Sequence, residues 1–136
     1  MDTDTALDFV ATHHHAVLAT RRRDGGTQLS PITVALNEQR HVVISTRETA
    51  VKTANLRREP RATLCVLQDA FFGGFVQLEG EATVHSLPEA MPGLVAYYRA
   101  AAGEHPDWAE YEESMAHERR VLIEIVVDRV GPNVSG

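Results

Sequence analysis

A chain of 136 residues with 43% apolar and 24% charged residues can bury a sizeable core and is expected to form one domain, residues 1–136. Its net charge of −6 argues against general nucleic-acid binding, which needs an extended basic face. The lone Cys65 excludes an intramolecular disulfide. With no signal peptide or membrane-spanning apolar run in view, the expectation is a cytoplasmic protein that does not enter a membrane.

Asp4-Thr5 can cap a short helix reaching about Thr12, with Leu7, Val10 and Ala11 on one side. His13-His14-His15 leads into a first strand, Ala16 to Thr20. On a strand only His13 and His15 could share a metal, and no cysteine or carboxylate pair with ligand spacing lies nearby, so no metal site is expected. Arg21-Arg22-Arg23 before Asp24-Gly25-Gly26 reads as a solvated hairpin tip. The return strand runs from Thr27 to Leu36, with Gln28, Ser30, Ile32, Val34 and Leu36 on one face. Pro31 removes a ladder donor, so this strand is expected at an edge, a bulge or a rim. Such a rim suits a flat ring with polar edges, and equally an edge strand with solvated hydroxyls.

The third strand, His41 to Thr46, ends in two hydroxyls, Ser45 and Thr46. A helix is expected to start near Glu48-Thr49 and to stop before Pro60. Free N–H groups at a helix start, together with its dipole, favour an anion. From Arg40 to Arg61 six cations face two carboxylates, a net +4 inside an acidic chain. Such an island points to a phosphate-bearing ligand. Lys52 is the only lysine among thirteen basic residues. It reads either as a compact cation wanted at that place or as a solvated lysine on a helix face. At about 100° per residue, Arg57 lies roughly 140° round the helix from Lys52, so the two do not converge on one atom.

A fourth strand covers Ala62 to Leu67, with Cys65 expected to be buried. The loop Asp69 to Gly74 carries Phe71 and Phe72, expected to pack against the barrel end, the alternative being a lid. The fifth strand, Phe75 to His85, alternates with Val76, Leu78, Gly80, Ala82 and Val84 facing the core. A helix is expected from Pro88 to about Ala102, closed by Gly103 and disturbed by Pro92-Gly93. A second follows from Trp108 to His117, capped by Asp107. Six acids and no Lys or Arg lie between Glu104 and Glu118, an acidic outer feature. The last strand is Arg120 to Asp128, with Val121, Ile123, Ile125 and Val127 inward. The expected fold is mainly β: a six-stranded antiparallel barrel with flanking helices.

The blocks AVLAT, RRRDGGTQLSPITVAL, HVVISTRETAVKTANLRREPRATLCVL and FVQLEGEATV, in that order, resemble the flavin-binding split-barrel superfamily, the fold of pyridoxamine 5′-phosphate oxidase. The segment from Tyr98 to Trp108 and the run Arg119-Arg120-Val121-Leu122 resemble its small deazaflavin (coenzyme F420)-dependent reductases. The resemblance covers about Leu7 to Val130. It implies a homodimer with two cofactor sites at the subunit interface and a small-molecule substrate. Gln28, Ser30, Pro31 and Ile32 would lie along the ring, and Ser45, Thr46 and Lys52 would hold the phosphate. The family often carries a second basic residue two positions before the lysine. Here that residue is Ala50, and the alternatives are that Arg47 or Arg57 substitutes or that cofactor affinity is weak.

The activity so implied is hydride transfer between reduced deazaflavin and a small organic acceptor. The alternatives are an FMN-dependent oxidoreductase of the same fold, a flavin- or deazaflavin-binding protein without turnover, and a haem-binding relative. No nucleophile–base pair is evident, and His15, His41 and Tyr97 are unranked as proton donors.

Overall fold

A computed structural model describes residues 1–131. Residues 132–136 of the expected domain lie outside the described residues. Seven strands and four helices follow in the order α1 (Thr3–Thr12), β1 (His15–Arg21), β2 (Thr27–Thr33), β3 (Ala35–Leu36), β4 (Val42–Arg47), α2 (Val51–Arg58), β5 (Arg61–Leu67), β6 (Phe75–His85), α3 (Met91–Ala102), α4 (Trp108–His117) and β7 (Arg120–Val130). All strands join one antiparallel sheet in the order β2-β1-β5-β6-β7-β4-β3. Its two ends, β2 and β3, are consecutive pieces of one chain, so the sheet curls back on itself as a split barrel.

The seventh strand arises where one was expected. The return strand breaks at Val34, whose N–H donates to the His14 carbonyl at 2.8 Å and whose carbonyl meets His14 Nδ1 at 2.8 Å. These bonds take Val34 out of the ladder. The chain before it pairs with β1 and the two residues after it pair with β4. Beyond β3 the flanks of β2 and β4 are left unpaired, and that seam bears on the site. Pro31 is tolerated because β2 has a ladder partner on one side alone.

Alternation builds two cores. Inside the barrel, Leu18, Ile44, Leu64, Leu78, Ile123 and Ile125 pack with Ala6, Leu7 and Val10 of α1. Ala6, and not the exposed Ala11, completes the inner face of α1, which is capped by Asp2 accepting from the Thr5 N–H at 2.8 Å. On the outer face, Val43 and Leu122 pack against Leu94, Tyr111 and Met115 of α3 and α4. Gly80 is required where β6 bulges against β7, because a Cβ there would stand 2.1 Å from the Val126 carbonyl oxygen.

Several expectations are corrected. Helix α2 begins at Val51, later than Glu48-Thr49, because the Glu48 N–H donates to the Arg119 carbonyl at 2.8 Å and the Thr53 hydroxyl holds the Arg47 carbonyl at 2.6 Å, so residues 48–50 form a turn. Helix α3 begins at Met91 and is continuous, with Pro92 in its first turn, where no N–H partner is lost, and Gly93 leaving room for Leu122. Cys65 is half-buried, since β5 points Ala62, Leu64 and Val66 inward. Phe71 and Phe72 do not pack on the barrel: they are 77% and 76% exposed and contact each other edge to face at 5.0 Å. The acids between Glu104 and Glu113 are exposed, and Glu118 is half-buried.

Candidate functional site

A cleft of about 800 Å³ opens between the unpaired flank of the sheet and helices α3 and α4. Its sheet side is made by Ala16 and Val17 of β1, Pro31 to Thr33 of β2, and Ser45 and Thr46 of β4. Its helical side is made by Tyr97 and Tyr98 of α3 and by Tyr111 and Met115 of α4. Lys52 and Arg120 close one end.

The cationic end follows from local structure. Ser45 and Thr46 are adjacent on β4, so they face opposite sides. Ser45 sits across from Leu122 on the helix side, and Thr46 sits across from Val121 and is buried. The chain then turns into α2 through a bond from the Thr53 hydroxyl to the Arg47 carbonyl at 2.6 Å. No side chain caps α2, since its N-cap is Ala50. Leu56 and Asn55 bury the inner face of α2, with Asn55 Nδ2 donating to Thr20 Oγ1 at 3.1 Å. That anchoring leaves Lys52, one turn earlier, at the cleft.

Among the described residues no carboxylate lies within ion-pair distance of Lys52. Burial, and then the positive charge of Arg120, hold its ammonium below the usual lysine range. A half-buried cation beside a second cation, with hydroxyls next to it, fits an anionic group such as a phosphate.

The aromatic wall bridges the seam. Tyr97 donates its hydroxyl to the Thr33 carbonyl at 3.0 Å, and burial raises its phenol above the usual range. Tyr111 donates to the Leu94 carbonyl at 2.9 Å, and burial, then Tyr97, push it up to about 12. Tyr98 packs edge-on against Trp108 and tilted against Tyr111, at 5.7 and 5.0 Å. Tyr97 was expected at the site as a possible proton donor, but not as part of a tyrosine wall. The pair Tyr97-Tyr98 was visible in the sequence, but its proximity to β2 was not.

Of the eight expected cofactor-binding residues, Lys52, Ser45, Thr46, Pro31 and Ile32 border this one cleft. Gln28 and Ser30 do not. They lie opposite Thr20 and Leu18 in the β1–β2 ladder, on the inner face of the sheet. Arg57 is also elsewhere, bonded to Glu48 at 2.8 Å and to the Ser86 hydroxyl at 3.0 Å. Arg120 is the residue the sequence reading missed.

The three histidines separate. His13 stacks on Phe9 at 4.0 Å, His14 binds the Val34 carbonyl, and His15 borders the cleft 3.8 Å from Asp69. His41 and His85 both hydrogen-bond Glu124, at 2.7 and 2.9 Å, outside the cleft, so His41 is removed as a proton donor there.

A sequence profile described as pyridoxamine 5′-phosphate oxidase matches residues 2–133. Among solved structures, a conserved hypothetical protein from Mycobacterium tuberculosis is 25% identical, covering 99% of this chain and 85% of its own, with a TM-score of 0.79. A protein described as an F420 reductase is 16% identical, covering 91% of this chain and 94% of its own, with a TM-score of 0.69. A haem storage protein from Vibrio cholerae is 14% identical, covering 98% and 96%, with a TM-score of 0.73. These last two likenesses carry the fold and leave the ligand open.

Proposed function

The chain belongs to the pyridoxamine 5′-phosphate oxidase family, and on that premise we propose that it is a coenzyme F420-dependent reductase acting on a small organic acceptor, as a cytoplasmic homodimer with its cofactor sites at the subunit interface. The observation that carries the reading is Lys52: a half-buried ammonium without a carboxylate partner among the described residues, beside Arg120 and Ser45, at the end of a cleft walled by tyrosines. The resemblance of the segment Tyr98 to Trp108 to the small deazaflavin-dependent reductases supports the choice of cofactor.

Lys52 and Ser45 would take the phosphate, with buried Thr46 supporting the strand end. Pro31 would lie along the ring, Ile32, whose side chain packs on the barrel core, would position that strand at the cleft's border, and Tyr97 and Tyr111 would keep water from the ring's other side. Gln28 and Ser30 would support that strand from behind. Reduced deazaflavin, when bound, supplies two electrons as a hydride to the acceptor. The chain's own part is to bind, to orient and to exclude water. Of the three unranked proton donors, His15 and Tyr97 border the cleft and remain candidates.

The test is a titration of purified apo-protein with F420, FMN and haemin, followed by fluorescence and absorbance. Tight F420 binding with weak FMN binding is expected. The Lys52→Ala variant is expected to weaken F420 binding by about 1.5–3 kcal/mol, the value of a hydrogen bond to a charged group. Tighter FMN binding would move the protein to the flavin branch of the same fold. A haemin complex with neither flavin nor deazaflavin binding would overturn the reading.

A further inference from the structure

We infer that Arg120 is the second cation of the anion pocket, standing in for the basic side chain that position 50 lacks, and that Glu118 orients it. The inference rests on the reading of the cleft as a site for a phosphate-bearing cofactor and names the residue that grips the phosphate alongside Lys52.

Three arginines could compensate for Ala50. Arg57 is occupied by Glu48 and Ser86, away from the cleft. Arg47 lies directly across from Arg120 in the β4–β7 ladder, but its side chain is 61% exposed and does not border the cleft. Arg120 borders it together with Lys52, Ser45 and Thr46.

The guanidinium of Arg120 is already oriented. Its Nε and Nη2 both donate to Glu118 Oε1, at 2.9 and 2.7 Å. Among the described residues Nη1 has no protein acceptor. A planar fork held by a carboxylate on one edge keeps donors for an oxyanion.

The backbone just before it is also specialised. Arg119 has φ 55°, the left-handed region that residues with a Cβ rarely adopt. Its carbonyl accepts the Glu48 N–H at 2.8 Å, tying the start of β7 to the segment that leads into α2. This tie brings Arg120 and Lys52, 68 positions apart in the chain, to one end of one cleft. Such strain persists where surrounding structure over-determines it, often at ligand sites. Two cations facing one space, with a carboxylate on only one of them, are balanced by an anion.

The experiment measures equilibrium binding of two matched pairs to the full chain: FMN against riboflavin, and the deazaflavin core carrying a terminal phosphate against the same core without it. Arg120→Ala is expected to weaken the phosphate-bearing member of the bound pair about tenfold or more and to leave the phosphate-free member within about twofold. Arg120→Lys keeps the charge but not the fork and is expected to recover part of the loss. Arg23→Ala, on the exposed hairpin tip away from the cleft, is expected to change neither. A merely structural role for Arg120 would weaken both members equally, which would overturn the inference. So would loss of phosphate discrimination in Lys52→Ala but not in Arg120→Ala or Arg120→Lys, an outcome that leaves the cofactor reading standing. Wild-type protein that binds neither pair, or does not distinguish their members, sinks the cofactor reading and the inference with it.

Discussion

Burial and the neighbouring Arg120 both disfavour the charged form of Lys52, so the ligand-free protein carries a cation it would fold better without. The sign follows from linkage. A lysine lowered in the folded state takes up its proton at a cost, and that cost is present below the lowered value and vanishes as pH rises through the ordinary lysine range. Lys52→Met keeps the aliphatic stem and removes the charge. It is expected to raise the thermal midpoint of the apo-protein by about 2 °C near neutral pH, a figure kept small because the side chain is partly solvated. The same variant is expected to lose phosphate-dependent binding. Scanning calorimetry on the apo-protein and the titration above check the two halves, and a lowered midpoint would refute the electrostatic account. Lys52 was legible in the sequence as the single lysine in a cationic island. Arg120 was not, because nothing local to β7 reports that it lies next to α2.

Strand β7 carries a polar latch as well as a core face. Glu124 accepts from Asn37 Nδ2 at 2.7 Å and hydrogen-bonds His41 and His85, joining the β3–β4 turn and the end of β6 to β7. The His41 bond, then those from His85 and Asn37, hold its carboxyl below the usual glutamate range against the opposing effect of burial. A lowered carboxylate contributes stability that is present above its unfolded value and lost as pH falls through the folded one. Urea unfolding is therefore expected to show wild type more stable than Glu124→Gln by about 1–2 kcal/mol at pH 7. The gap should hold down to about pH 5 and shrink below about pH 4.5. A gap independent of pH would show that the charge is irrelevant. At the β6 bulge, Gly80→Ala is expected to cost about 3 kcal/mol by the same measurement, since the carbonyl at 2.1 Å is backbone and cannot swing aside. The elements themselves were readable where alternation is strict, as in β5, β6 and β7. They failed where tertiary bonds decide: at Val34, removed from the ladder by His14, at the start of α2, set by the Thr53–Arg47 bond, and at Phe71-Phe72, whose exposure no local pattern announces.

One described chain leaves the cleft open on its outer side, and the hydride chemistry proposed above needs a closed, dry site. The loop that follows Leu67 at the cleft's border carries Phe71 and Phe72 into solvent, and Leu29 of β2 is 62% exposed. The barrel was readable because its strands are hairpin-joined and evenly patterned. A second copy is not written in such patterns, and the expectation of one rests on the family resemblance alone. If two chains complete each site, binding and assembly must be linked: dilution that dissociates the dimer weakens the cofactor, and cofactor strengthens the dimer. Sedimentation velocity across micromolar and lower concentrations, with and without F420, is expected to show a dimer that persists to greater dilution when ligand is present, with one cofactor per chain. At a ligand concentration about 100 times its dissociation constant, linkage gives about 2.7 kcal/mol of stabilisation, a rise in midpoint of about 8 °C for a chain of this size. A monomer that binds F420 with the same affinity at every protein concentration would show that the site is complete within one chain, and that the tyrosine wall alone excludes water.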